Sequence, residues 1–135
     1  MNNQYIPFIC LVDDSDDYQL VLSQMLKRAY APHSLAVFAD GSDFLRALVR
    51  FERLPDLIFL DHHMPGLDGY QTLLKLRSQS RYQVVPVIVM SAQASATDIE
   101  ACYRAGANSF WPKQIDANRL KTELGELCRS WIAHS

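Results

Sequence analysis

Apolar residues fall in five short runs separated by longer stretches of mixed polarity: Phe8 to Val12, Leu35 to Phe38, Leu57 to Leu60, Val84 to Met90 and Asn108 to Trp111. Three of these runs are almost continuously apolar. That marks strands covered on both faces, as in a parallel sheet, rather than strands with one wet face. Between the runs lie segments with helical spacing: Tyr18, Val21, Met25, Leu26 and Ala29; Phe44, Leu45, Leu48 and Phe51; Tyr70, Leu73, Leu74 and Arg77; Ile99, Cys102 and Tyr103. After the last run, Leu120, Leu124, Leu127, Cys128 and Trp131 are interleaved with Lys121, Glu123, Glu126 and Arg129, as an amphipathic helix requires.

Punctuation supports the same division. Thr97 stands three residues before Glu100 and predicts a capping box, and Asp116 and Ser42 are candidate N-caps. Gly106 is placed to end the fourth helix, and Pro55 lies beyond the second. Five strand–helix units in strict alternation predict an α/β fold: a parallel sheet joined by right-handed crossovers, with helices on both faces. For five strands the expected order is 2-1-3-4-5, the flavodoxin-like arrangement, in which ligands bind outside the carboxyl ends of the strands.

Polar residues directly after those strand ends are therefore the candidate chemistry. The first strand runs into Asp13-Asp14, the third into Asp61, the fourth into Ser91 and the fifth into Lys113. In the predicted order strands one, three, four and five are neighbours, so these side chains converge at one rim although they are distant in sequence. Each has an ordinary reading alone, Asp13-Asp14 as an acidic helix start and Lys113 as a solvated charge; the convergence of the set argues for a site. Crowded carboxylates need a counter-charge, and hard oxygen ligands favour Mg²⁺. Lys113 supplies a fixed positive charge beside it. A carboxylate so placed can act as a nucleophile towards phosphorus once charge on the phosphoryl oxygens is neutralised. His62 and His63 follow Asp61, but neighbours on an extended chain point to opposite sides, so a shared zinc ion is not expected and loop residues modulating access are.

Composition narrows the classes. The chain has 135 residues, 49% hydrophobic and 21% charged, which fits one globular domain with one core. A single domain over 1–135 with its core at about 7–132 and no effector domain is expected. Lys and Arg total 13 against 15 Asp and Glu, and no basic run offers a footprint for nucleic acid. Cys10, Cys102 and Cys128 are unpaired in spacing and read as buried free thiols of a reducing compartment. The start, Met1-Asn2-Asn3-Gln4-Tyr5, lacks the basic and apolar regions of a signal peptide, so a cytoplasmic location is expected.

Four motifs carry a resemblance over about Phe8 to Trp131: Val12-Asp13-Asp14, Leu60-Asp61-His62-His63-Met64-Pro65-Gly66-Leu67-Asp68-Gly69, Val87-Ile88-Val89-Met90-Ser91-Ala92, and Gly106-Ala107-Asn108-Ser109-Phe110-Trp111-Pro112-Lys113. In them the chain resembles receiver domains of two-component response regulators. In its length and Trp-containing tail it is similar to stand-alone regulators of bacterial phytochrome kinases. The resemblance implies Asp61 as phosphoacceptor, Asp14 as direct and Asp13 as water-mediated ligand of Mg²⁺ or Mn²⁺, and the backbone carbonyl of His63 as a further ligand. It implies Ser91 and Lys113 as the residues that grip the phosphoryl group, and Phe110 as the aromatic that turns inward on activation. The implied partners are a sensor histidine kinase or phosphotransfer protein and a downstream protein, with no nucleic acid or membrane. The implied readout surface, which could also form a homodimer, is the face of helix four, strand five and helix five. The implied role is a signalling switch with slow autodephosphorylation rather than an enzyme. One departure stands out: receiver domains usually have Lys-Pro, often cis, where Lys113 is followed by Gln114. A cis bond before a non-proline residue is costly, so that loop is expected to run differently. The enzymatic rival, a haloacid dehalogenase-type phosphatase, resembles Asp-x-Asp after the first strand, whereas here Asp13-Asp14 comes first and Asp61-His62-His63 lacks the second Asp.

Overall fold

The computed structural model describes residues 5–132; residues 1–4 and 133–135, with most of the amino-terminal stretch read above, lie outside the described residues. Five strands, β1 (Phe8–Val12), β2 (Ser34–Phe38), β3 (Leu57–Asp61), β4 (Val87–Ser91) and β5 (Ser109–Pro112), alternate with helices α1 (Asp16–Ala29), α2 (Gly41–Leu48), α3 (Gly69–Arg77), α4 (Ala96–Ala105) and α5 (Ala117–Trp131). The strands pair in parallel in the order β2-β1-β3-β4-β5. This is the predicted order.

The sheet separates two apolar layers by the period-two alternation of its strands. Cys10 and Val12, Ile58 and Leu60, and Val87 and Val89 point to the side covered by Phe44 and Leu48 of α2, Leu73 and Leu76 of α3, and Cys102 of α4. Ile9 and Leu11, Leu57 and Phe59, and Ile88 and Met90 point to the side covered by Leu22 and Leu26 of α1 and by Leu120, Leu124 and Cys128 of α5. Each fully buried aliphatic or aromatic side chain contributes roughly 1.5–3 kcal/mol by leaving water. β3 and β4 are buried along their whole length, which explains their unbroken apolar runs. All three cysteines are free and buried. Among the described residues, no helix is long and apolar enough to cross a membrane.

Several boundaries differ from the sequence reading. The fourth strand begins at Val87, because a 3₁₀ turn over Ser80–Tyr82 and Pro86 precede it and Val84 is left 77% exposed. α2 is capped by Asp40 rather than Ser42, and α4 by Ser95, whose capping box closes with Asp98 rather than linking Thr97 to Glu100. Asp116 caps α5, and Gly106 ends α4 at φ 110°, a left-handed conformation that suits glycine. The buried face of α1 uses Leu22 in place of Val21, and that of α3 uses Thr72 and Leu76 in place of Leu74. Ile132 is buried and Trp131 packs against the α1–α5 layer, so the end of α5 covers the core.

Candidate functional site

The carboxyl ends of β1, β3, β4 and β5 lie side by side, and deliver Asp13 and Asp14, Asp61, Ser91 and Lys113 respectively to the same rim. Register is held past the strands by backbone bonds: Asp13 N–H donates to Phe38 O at 3.0 Å, His62 N–H to Met90 O at 2.7 Å, and Lys113 N–H to Ser91 O at 2.9 Å. Gly69 lets α3 begin against this rim, because a Cβ there would lie 2.4 Å from Asp61 O and 2.8 Å from His62 Cα.

Asp13, Asp14 and Asp61 each offer a carboxylate oxygen, and these oxygens lie within 4.8 Å of one another. Asp13 is fully buried, Asp61 nearly so, and Asp14 exposed. Lys113 Nζ stands 2.8 Å from Asp13 Oδ2 and 3.3 Å from Asp61 Oδ1. Asp13 Oδ2 has no conventional hydrogen bond, so this ammonium is its counter-charge, while Asp13 Oδ1 accepts the Ser15 N–H at 2.9 Å. Burial pushes the Asp61 carboxyl up to about 7; the negative charge of Asp13 adds to this and Lys113 opposes it. Three carboxylates against one ammonium leave excess negative charge aimed at a common point. A hard divalent cation fits this all-oxygen donor set, with Asp13, Asp14 and Asp61 as the residues able to hold it.

Ser91 is buried at the end of β4, and its hydroxyl donates to Gln93 O at 2.6 Å while accepting the Gln93 N–H at 3.0 Å. Phe110 on β5 is half-buried with its ring 6.2 Å from that of His62. The two histidines depart from expectation. Their rings meet edge to face at 4.5 Å, because the chain bends at His62 and strand alternation no longer applies. His62 lies in the loop after β3, as expected, but is buried there. Its Nδ1 lies 3.8 Å from Cys102 Sγ and its Nε2 lies 3.9 Å from Asp98 Oδ2, both on α4. Burial first, then His63, hold its pKa below the usual imidazole value. His63 Nε2 lies 2.7 Å from Gln93 O, bridging the β3 and β4 exits. Among the described residues the acidic trio is the one cluster with metal-ligand geometry, and neither histidine belongs to it.

The Lys113–Gln114 peptide is trans, since the single cis bond among the described residues is Ala31–Pro32. Lys113 still reaches the carboxylates. Two neighbours of the site were not singled out by sequence reasoning: Gln93, whose signal was its place two residues after Ser91, and Tyr18, which spacing assigned only to an apolar helix face.

The sequence profile described as "Response regulator receiver domain" matches residues 9–125. The chain belongs to this family. Receiver domains are phosphoacceptor modules of two-component signalling, and that is the function membership assigns here. Two curated relatives are the two-component response regulator ARR3 of Arabidopsis thaliana, 39% identical over 86% of this chain and 54% of that protein, and the sensory/regulatory protein RpfC of Xanthomonas campestris, 32% identical over 89% of this chain and 16% of that protein. The receiver chain thus spans about half of one relative and a small part of the other. Its fold is similar to that of the phosphorylated cyanobacterial phytochrome response regulator RcpA, with a TM-score of 0.86 at 24% identity over 94% of each chain. It is also similar to the Mn²⁺-bound form of response regulator Rcp1, with a TM-score of 0.82 at 23% identity over 96% of each.

Proposed function

We propose that Asp61 is the residue of this receiver domain that takes the phosphoryl group, from a histidine kinase or a phosphotransfer protein, and that the chain acts as a binding switch rather than as an enzyme. The observation that carries the reading is the position of Asp61 Oδ1, within 3.3 Å of the Lys113 ammonium and inside the carboxylate cluster. An ionised Asp61 oxygen attacks phosphorus, the bond from phosphorus to the donor breaks, and an acyl phosphate forms. Lys113 stabilises charge on the transferred group, and Ser91, by turning its hydroxyl away from Gln93, donates a hydrogen bond to one phosphoryl oxygen. Mg²⁺, or Mn²⁺ in its place, held by Asp13, Asp14, Asp61 and the backbone carbonyl of His63, would supply further neutralisation of that charge.

The new dianion biases an equilibrium between two conformations by favouring the one in which Ser91 and Lys113 grip it. Readout belongs to the face of α4, β5 and α5. There a cavity of about 470 Å³ lies beside Ser91, bounded by Gln93, Ile99, Tyr103, Phe110 and Pro112, and an inward turn of Phe110 would change its shape. A downstream protein is the proposed occupant of this face; a second copy of the chain is the alternative that gel filtration with and without a phosphoryl mimic separates.

Intact-mass measurement after incubation with acetyl phosphate and Mg²⁺ tests the assignment. One phosphoryl increment is expected on the wild type and none on Asp61→Asn or after chelation. An unchanged yield in Asp61→Asn would sink it.

A further inference from the structure

Lysine carries its charge on a flexible four-carbon stem, so placing the Lys113 ammonium between two carboxylates requires something to hold it there. Asp13 and Asp61 occupy two of its sides. The third is closed by the face of Tyr18, whose ring centroid lies 4.7 Å from Nζ. Lys113 is largely withdrawn from solvent, with its side chain 14% exposed, and desolvation strengthens the attraction between an ammonium and the negative face of an aromatic ring.

The ring is itself tied to the site. Asp13 Oδ1 accepts the Ser15 N–H, and Ser15 Oγ accepts the Tyr18 N–H at 3.2 Å, so the carboxylate that pairs with the ammonium also sets the first turn of α1. Tyr18 packs on the apolar layer under α1 and α5. Its hydroxyl is buried without a hydrogen bond of ordinary geometry and faces the backbone N–H of Gln114, the residue after Lys113. The tyrosine is thus wedged between the ammonium and the loop that follows it. A proline at position 114 would present no N–H to that hydroxyl.

We propose that Tyr18 is a positioning residue for phosphoryl transfer at Asp61, its ring face holding the Lys113 ammonium against Asp13 and Asp61. The kinetic consequence rests on the role proposed for Asp61; the geometry does not. A residue that merely filled the core would accept a ring of the same shape whatever its charge distribution, whereas a platform for a cation requires a negative π face.

The test compares wild type with Tyr18→Phe, Tyr18→Leu, a fluorinated phenylalanine at position 18, Lys113→Met, and Tyr18→Leu combined with Lys113→Met. The first readout is the NMR shift of the Lys113 ε-methylene protons, which needs no phosphorylation. Ring current moves them upfield in wild type and Tyr18→Phe, and the displacement is lost in Tyr18→Leu. Unshifted methylenes in the wild type would overturn the proposal, whether or not Asp61 accepts phosphoryl. The second readout is the initial rate of phosphoryl incorporation from acetyl phosphate with Mg²⁺. Tyr18→Phe stays within about twofold, while Tyr18→Leu and the fluorinated ring, which keeps the shape and removes the negative face, slow the rate about tenfold. In the Lys113→Met background the leucine substitution has no further effect, as a residue acting through Lys113 requires. Equal slowing in both backgrounds would make Tyr18 structural. If Tyr18→Leu fails to fold, the fluorinated variant decides alone, since an unchanged rate with it refutes the platform. A wild type that takes no phosphoryl group counts against the Asp61 reading, leaving the NMR result to decide the placement of Lys113.

Discussion

Burial and the nearby charge of Asp13 hold a proton on Asp61 up to about pH 7 when no cation is bound, with Lys113 pulling the other way. The unfolded chain releases that proton near pH 4. Between these values the folded state binds more protons than the unfolded one, so stability falls as pH rises through that window, and the full loss is present above about pH 7. Because Asp61 titrates together with close charged neighbours, the loss is put at on the order of 2 kcal/mol. Asp61→Asn should therefore be the more stable protein at neutral pH in chelator, and the two should converge below about pH 4. Urea midpoints across pH 4–8 read the difference; parallel curves for the two proteins would contradict it. Added divalent cation should raise the wild type selectively. The acidic residues were legible in the sequence because strand ends and carboxylates coincide there. Tyr18 was not, because its role depends on where Lys113 comes to rest, which no spacing rule gives. The contact between the His62 and His63 rings was not legible for a related reason: strand alternation does not extend past Asp61, where the strand ends.

Among the elements, α4 is secured unequally at its two ends. At its carboxyl end Arg77 Nε and Nη2 donate to Gly106 O at 3.1 and 2.9 Å, Nη1 donates to Tyr82 O at 2.6 Å, and Nη2 donates to Asn108 Oδ1 at 3.0 Å. One guanidinium therefore joins the end of α3, the 3₁₀ turn and the α4–β5 corner. At its amino end the helix relies on the exposed Ser95–Asp98 capping box and on His62. Hydrogen exchange should show amides of 99–101 opening about tenfold faster than those of 103–105. Ser95→Ala, which removes a cap worth about 1 kcal/mol, should widen the gap, and Arg77→Met should narrow it. Uniform exchange along α4 would refute this account. The sequence reading placed the helix but put its cap two residues late, at Thr97. Thr97, Glu100, Ser95 and Asp98 all satisfy the same local pattern, and the choice between them is made by where the chain leaves β4.

At the scale of the whole molecule, the order of the strands followed from alternation and crossover handedness, and the buried centre of the sheet from the unbroken apolar character of β3 and β4. Strand beginnings were harder to read. Val84 and Val85 look like strand by composition, yet the turn before them keeps them out of the ladder, which starts where Pro86 O accepts the Ile58 N–H at 3.0 Å. The site was legible as a set because it lies at the rim the topology selects. The contacts that aim its members, such as the ammonium on the Tyr18 ring, arise from packing between segments remote in sequence.

The three free thiols sit on three different elements of this architecture: Cys10 on β1 and Cys102 on α4 in one apolar layer, and Cys128 on α5 in the other. Burial raises them to about 12, 11 and 12, so alkylation of any of them requires that part of the molecule to open first. Each cysteine is in effect a clock for the element that carries it. In pulsed alkylation followed by peptide mass mapping, Cys102 should react ahead of the others as α4 lifts, while Cys10 and Cys128 should keep time with global unfolding.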